Sequence, residues 1–162
     1  MIVWREEMSI GIAALDNDHR RLISIVNDFQ ACQTMQNAEL TCKKLYTYAK
    51  NHFAREEQIQ EDLGYSMHQA HKFEHAKILE KLRSIIRTAF LNNAQTPDPE
   101  RVIASLSDLL HDWIVNHVMH RDMDMRTMVR NRQSAQHPAD SLLPASAHRY
   151  DGVRGQEIRR VV

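Results

Sequence analysis

Apolar residues recur at steps of three and four along most of the chain, the period of a helix with one face in a core. One series reads Leu15, His19, Leu22, Val26, Phe29, and a second reads Leu45, Tyr48, His52, Glu56, Ile59, Leu63. A third reads His71, His75, Ile78, Leu82, Ile85, Ala89, and a fourth carries Leu106, Leu110, Trp113 and His117. The first predicts a helix from about Asp16 to Met35, the second from about Ala38 to Leu63 with Asn37 as N-cap. Gly64 suits the left-handed residue that ends such a helix. Ser66-x-x-Gln69 reads as a capping box opening a third helix to about Asn92. Residues 93–97 form a loop, and Asp98 followed by Pro99 opens a fourth helix ending by about Asn131. Four amphipathic helices with short connections predict an all-α fold, an antiparallel up-down-up-down four-helix bundle.

The bundle is expected over residues 1–130, with residues 1–14 as an extended N-terminal arm carrying Trp4, Ile10 and Ile12. Residues 131–162 hold half the chain's Pro and Gly, five arginines and no lysine. They lack a sustained apolar period, so a mostly disordered C-terminal tail is expected, with room for a short helix near 156–161.

The stripes contain groups that do not belong in an oily core. His52-x-x-x-Glu56 lies near the end of one helix, and His71-x-x-x-His75 near the start of the next. An i, i+4 pair sits on one helix face, with Cβ atoms about 5–6 Å apart. A buried polar group without a partner costs on the order of 1–3 kcal/mol, and a bare carboxylate more. These side chains therefore need one another, or a cation.

Composition narrows the partners. The 162 residues suffice for one domain with a sizeable core. The 21 basic and 21 acidic side chains cancel, which argues against nucleic acid or an anionic membrane as partner. No apolar run approaches the roughly 20 residues a membrane helix needs. Residues 1–14 contain Glu6 and Glu7 and no apolar signal core, so cytoplasmic residence is the expectation. Cys32 and Cys42 flank a turn and are expected as free thiols in a reducing compartment. A monomer or weak homo-oligomer is expected. Ten histidines are the anomaly.

Each predicted helix offers a metal donor: His19; His52 and Glu56; His71 and His75; His117, with Asp122 five residues on. Suppose they hold two metals. Five imidazoles, two bridging carboxylates and a bridging oxo or hydroxo group then fill about eleven of the twelve positions of two octahedra. One position stays open, and an open site binds something. Imidazole and carboxylate donors without thiolate suit iron or manganese at least as well as zinc. One spacing is awkward. Five residues of regular α-helix turn through about 500°, so His117 and Asp122 diverge by about 140°. Either the interior is wide there, or a π-type turn brings the two into line.

The same residues resemble the hemerythrin family, in particular its single-domain bacterial members. The matching pieces are Gly11-Ile12 leading to Asp16-x-x-His19; His52-Phe53-x-x-Glu56-Glu57; Gly64-Tyr65 before His71-x-x-x-His75; and Trp113-Ile114-x-x-His117-x-x-x-x-Asp122. The resemblance spans about residues 4–128. It implies a non-haem di-iron protein: two iron ions with a bridging oxo or hydroxo group, binding dioxygen reversibly. By that resemblance one iron takes His71, His75 and His117. The other takes His19 and His52 and keeps the open position, while Glu56 and Asp122 bridge. Ile23, Trp113 and Ile114 are the candidates for an apolar wall of the oxygen pocket. Ile114 stands where the family usually has leucine, Met125 replaces a frequent tyrosine, and Gln60 replaces a usual methionine.

Other polar groups have plainer expectations. His68, His111 and His120 read as surface or supporting groups, His137 and His148 as solvated tail residues, and Glu57 as an exposed neighbour of Glu56. Two rival functions stand beside oxygen storage, delivery or sensing. One is a di-iron oxidase, peroxidase or nitric-oxide reductase; the other is an iron or redox sensor that signals through its tail. Carboxylate-rich oxidases of the ferritin type use Glu-x-x-His pairs. No Glu here has a His at i+3, so binding is expected rather than an enzyme.

Overall fold

The computed structural model describes residues 1–91 and 96–136. The chain winds into α1 (Ala13–Ala31), α2 (Met35–Leu63), α3 (His68–Ile86), α4 (Pro99–Asp112) and α5 (Arg126–Gln136). A π-helical turn, Arg87–Leu91, prolongs α3. A π-helical segment, Trp113–Arg121, and a 3-10 turn, Asp122–Met125, join α4 to α5 without a break, so residues 99–136 form one rod. There is no strand among the described residues, and the four rods form the expected four-helix bundle. α2 is the hub, packing on α1, α3 and α4.

The apolar stripes meet as predicted. Leu22, Val26, Phe29, Leu45, Leu82, Leu106, Leu110 and Trp113 are buried together in the main core. A smaller cluster of Ile10, Leu15, Met125 and Val129 clamps the N-terminal arm to the far end of the fourth rod. Asp16 pins that arm further. Its carboxylate accepts from Ser9 Oγ (2.6 Å) and from the Ile10 N–H (2.8 Å). The arm is not wholly extended, because Glu6–Met8 makes one 3-10 turn.

Helix ends differ from expectation where side chains take other partners. α1 starts at Ala13, since Asp16 is committed to the arm, and stops at Ala31. Thr34, not Asn37, caps α2 by accepting the Asn37 N–H. The Asn37 amide instead donates to the Cys32 carbonyl at the end of α1 (2.7 Å). Ser66 and Gln69 make no capping box: α3 opens at His68 without a side-chain cap. Backbone turns satisfy that corner, with Gly64 left-handed (φ 68°) and the Tyr65 N–H bonded to the Gln60 carbonyl. Asp98 caps α4 as expected, accepting from the Glu100 N–H with Pro99 behind it. The fourth rod runs past Asn131 to Gln136. Of the tail expected over residues 131–162, positions 131–136 are helical, and positions 137–162, with His137 and His148, lie outside the described residues, as do positions 92–95 of the α3–α4 connection. No helix among the described residues is long and apolar enough to cross a membrane. Cys32 is exposed and Cys42 buried, both as free thiols.

Candidate metal centre

Every rod delivers its predicted donor to one place. His19 comes from α1, His52 and Glu56 from α2, His71 and His75 from α3, His117 from the π-helical segment and Asp122 from the 3-10 turn after it. All seven are buried. The five-residue spacing is resolved by the π alternative. The Asp122 N–H bonds the His117 carbonyl, closing a five-residue turn that puts both side chains on the same inner face.

The donor atoms crowd together without satisfying one another. His71 Nε2 lies 3.1 Å from Glu56 Oε1 and 3.1 Å from Asp122 Oδ1. His117 Nε2 is 3.2 Å from Asp122 Oδ1, and His75 Nε2 is 3.4 Å from Glu56 Oε2. On the other side, His19 Nε2 is 3.1 Å from Asp122 Oδ2 and His52 Nε2 is 3.5 Å from Glu56 Oε2. Yet Nε2 of all five histidines, Glu56 Oε2 and both Asp122 oxygens lack any well-aligned hydrogen bond. Buried polar groups almost always find a partner, so this many orphans at one spot point at something between them. The atoms fall into two groups that could each hold a cation. One comprises Glu56, His71, His75, His117 and Asp122; the other comprises His19, His52 and Asp122, which is shared.

Charge follows the same logic. Burial would push the Glu56 carboxyl up and Asp122 adds to that, but the His71 and His75 imidazoles hold it down to about 2. Burial opposes ionisation of Asp122 too, and His117, His19 and His71 around it keep it well below the usual range. Burial works against His71 protonation, but Asp122 and Glu56 carry it up to about 10. Burial takes His117 down to about 4. Two anions thus persist in the core, balanced by imidazolium until a cation replaces the proton.

The far edges of the rings are held from outside. Glu57 Oε1 meets His75 Nδ1 at 3.0 Å, and Asp18 Oδ2 lies 3.4 Å from His52 Nδ1 and pairs with Arg55. Carboxylates on the outer nitrogen of a ligating histidine fix its tautomer and aim Nε2 inward. Glu57 is therefore not a merely exposed neighbour, and both it and Asp18 were missed as supports. Their signal was weak: each directly adjoins a donor or lies one helical turn from one, positions that exposed acids also fill. Gln60, absent from the predicted stripe, is fully buried, and its amide Nε2 donates to Glu56 Oε1 at 3.1 Å. His68 is half-buried beside Gln60, whereas His111 and His120 are exposed.

Aromatic rings roof the centre. Phe53 stacks on His75 (centroids 3.8 Å apart, 11° between planes), and Tyr48 stacks on His52 (5.3 Å, 17°). Trp113 packs against both Tyr48 and Phe53. Ile23, Trp113 and Ile114 are all buried in the core cluster that includes these rings.

Comparison with known proteins agrees with this picture. The hemerythrin HHE cation-binding domain matches residues 10–129. The chain belongs to the hemerythrin family. A bacteriohemerythrin of Pseudomonas aeruginosa is 30% identical over 136 residues, covering 82% of this chain and 84% of that protein. One from Stenotrophomonas maltophilia is 28% identical over 158 residues, 94% of this chain and 99% of the relative. One from Clostridium acetobutylicum is 29% identical over 133 residues, 76% of this chain and 98% of the relative. The hemerythrin domain takes in all seven clustered donors and stops short of the tail.

Proposed function

We propose that this chain is a non-haem di-iron protein that binds dioxygen reversibly at one open iron position, serving oxygen storage, delivery or sensing, and that it is not an enzyme. The observation that carries the reading is the pair of donor groups sharing Asp122. His71, His75 and His117 would hold one iron; His19 and His52 would hold the other; Glu56 and Asp122 would bridge. The second group has fewer histidines, so the open position falls there. When bound, the iron pair would supply the two electrons and the vacant coordination position that reversible oxygen binding needs.

The chain's own residues supply the rest. Asp18 and Glu57 orient His52 and His75 through their outer nitrogens. Phe53, Tyr48 and Trp113, with Ile23 and Ile114, exclude water from the interior, so no solvent proton reaches the bound ligand. Burial pushes the Tyr48 phenol well up, and its hydroxyl donates to the Asp18 carbonyl (3.0 Å). The hydroxyl beside His52 is thus a poor acid, turned away from the site. With this phenol turned away, Tyr48 does not protonate the ligand, which favours its release over its cleavage. The free thiols suit a reducing compartment, and the cytoplasm is part of the proposal.

The test is iron content and the visible spectrum of freshly purified protein, through cycles of dithionite and air. About two irons per chain and a colour change that reverses between oxygen and argon are expected. Material that stays colourless and iron-free after reconstitution would overturn the proposal. Sustained turnover of peroxide or nitric oxide would make it a di-iron enzyme instead. Loss of a protein partner on deleting residues 131–162, with oxygen binding intact, would make it a sensor.

A further inference from the structure

Gln60 lies in the last turn of α2, one helical turn beyond Glu56, with no exposed surface. A primary amide is a costly group to bury, and every hydrogen-bonding direction it has must be accounted for. Its Nε2 lies 3.1 Å from Glu56 Oε1, and its Oε1 lies 3.2 Å from His68 Nδ1, across the corner between α2 and α3. The ionised Glu56 carboxylate can only accept, so Gln60 must present its NH2 there. That turns its carbonyl toward His68, which must carry a proton on Nδ1. The three side chains form a one-way chain of donors, from His68 through Gln60 to Glu56, anchored at the partly exposed start of α3.

We propose that Gln60 is a positioning residue for the metal centre: it locks the Glu56 carboxylate in its bridging orientation and draws charge from Oε1, with His68 fixing the amide. The inference rests on the di-iron reading above and deepens it. Three features carry it. Glu56, like Asp122, faces histidines of both groups, with Oε1 toward His71 and Oε2 toward His75 and His52. Beside these imidazoles, the Gln60 amide donates a hydrogen bond to Glu56 Oε1. The amide is also neutral, so it orients the carboxylate without competing with a cation for it. A carboxylate relieved of some charge donates less strongly, which favours ferrous over ferric iron.

The experiment uses the full chain with ferrous iron under argon, against a competing chelator, for the natural sequence, Gln60→Met and His68→Leu. Met keeps the length and approximate volume of Gln and removes only the hydrogen-bonding groups, so a role in packing alone predicts no change. Loss of an outer partner of a ligand typically weakens metal binding about 10–100-fold. Methionine is the residue the family usually has here, so Gln60→Met is expected to bind two irons still, with about tenfold lower ferrous affinity than the natural chain and a shifted visible band in its oxidised form. His68→Leu is expected to move both in the same direction by less. Circular dichroism without iron reports folding, and if Gln60→Met does not fold, His68→Leu decides. Variants that match the natural chain in affinity and spectrum, each with two irons bound, would overturn the role of Gln60 alone. A natural chain that takes up no iron would overturn the di-iron reading and this role with it.

Discussion

The strongest energetic consequence of the centre concerns the protein stripped of metal. His19 and Asp122 are both fully buried, with Nε2 and Oδ2 3.1 Å apart, and neither makes a well-aligned hydrogen bond. Such a pair keeps little of its Coulomb attraction after the cost of leaving water. Replacing a buried ion pair with apolar residues of similar size is often stabilising, by about 1–4 kcal/mol. The double variant His19→Leu with Asp122→Leu should therefore be more stable than the natural chain in excess chelator. A gain of about 2–3 kcal/mol would raise the melting temperature by roughly 4–12 °C for a chain of this length. Asp122→Leu alone should do the opposite. It leaves the buried His19 imidazole without its carboxylate, at a cost of about 3–5 kcal/mol, whereas His71 keeps Glu56 at 3.1 Å in both variants. With ferrous iron added, the order should invert: the natural chain gains stability by mass action, and the double variant, lacking the carboxylate common to both donor groups, does not. The assay is thermal unfolding followed by circular dichroism, in chelator and in iron. A double variant clearly less stable than the natural chain in chelator would refute the reasoning. It would mean that the polar cluster stabilises the fold unaided and is not a cage strained for want of a cation.

Further consequences can be measured directly. Because Asp122 and Glu56 carry His71 up to about 10, it holds a proton at neutral pH that a metal must displace; loading in weak buffer should release at least one proton per chain, read with an indicator dye. Glu57→Gln should weaken iron binding about 10–100-fold by loosening His75, while Glu61→Gln on the exposed side of α2 should not; equal chelator competition by both would remove Glu57 from the centre. In chelator, His117 should make the fold weaker in acid. Its folded value is lowered to about 4 and its unfolded value is near 6.5, so this contribution is whole above 6.5 and is lost as pH falls toward 4. Urea unfolding of His117→Leu against the natural chain should show that pH dependence reduced, and an undiminished slope would assign it elsewhere.

The four rods and the seven donors were legible in the sequence because both obey a local rule. A side chain's face is fixed by its position along a helix, so His52 with Glu56, or His71 with His75, share a face wherever that helix goes. Even the awkward His117–Asp122 spacing declared itself as either a wide interior or a π-type turn, and the π-helical segment is the second of these. What the sequence left open was how each polar group is partnered, because that depends on which surfaces meet. Asn37 looked like the cap of α2 and instead closes α1, since the helix already starts at Met35 and Thr34 accepts the N–H of Asn37 itself. Asp16 looked like the start of a helix and instead holds the arm. Glu57 looked solvated until α3 packed beside it, and Gln60, off the predicted stripe, gains its partners only where the α2–α3 corner encloses it between Glu56 and His68. Periodicity is a property of one helix and can be read from one string; a hydrogen bond across helices exists only once packing has excluded the water that would otherwise take its place.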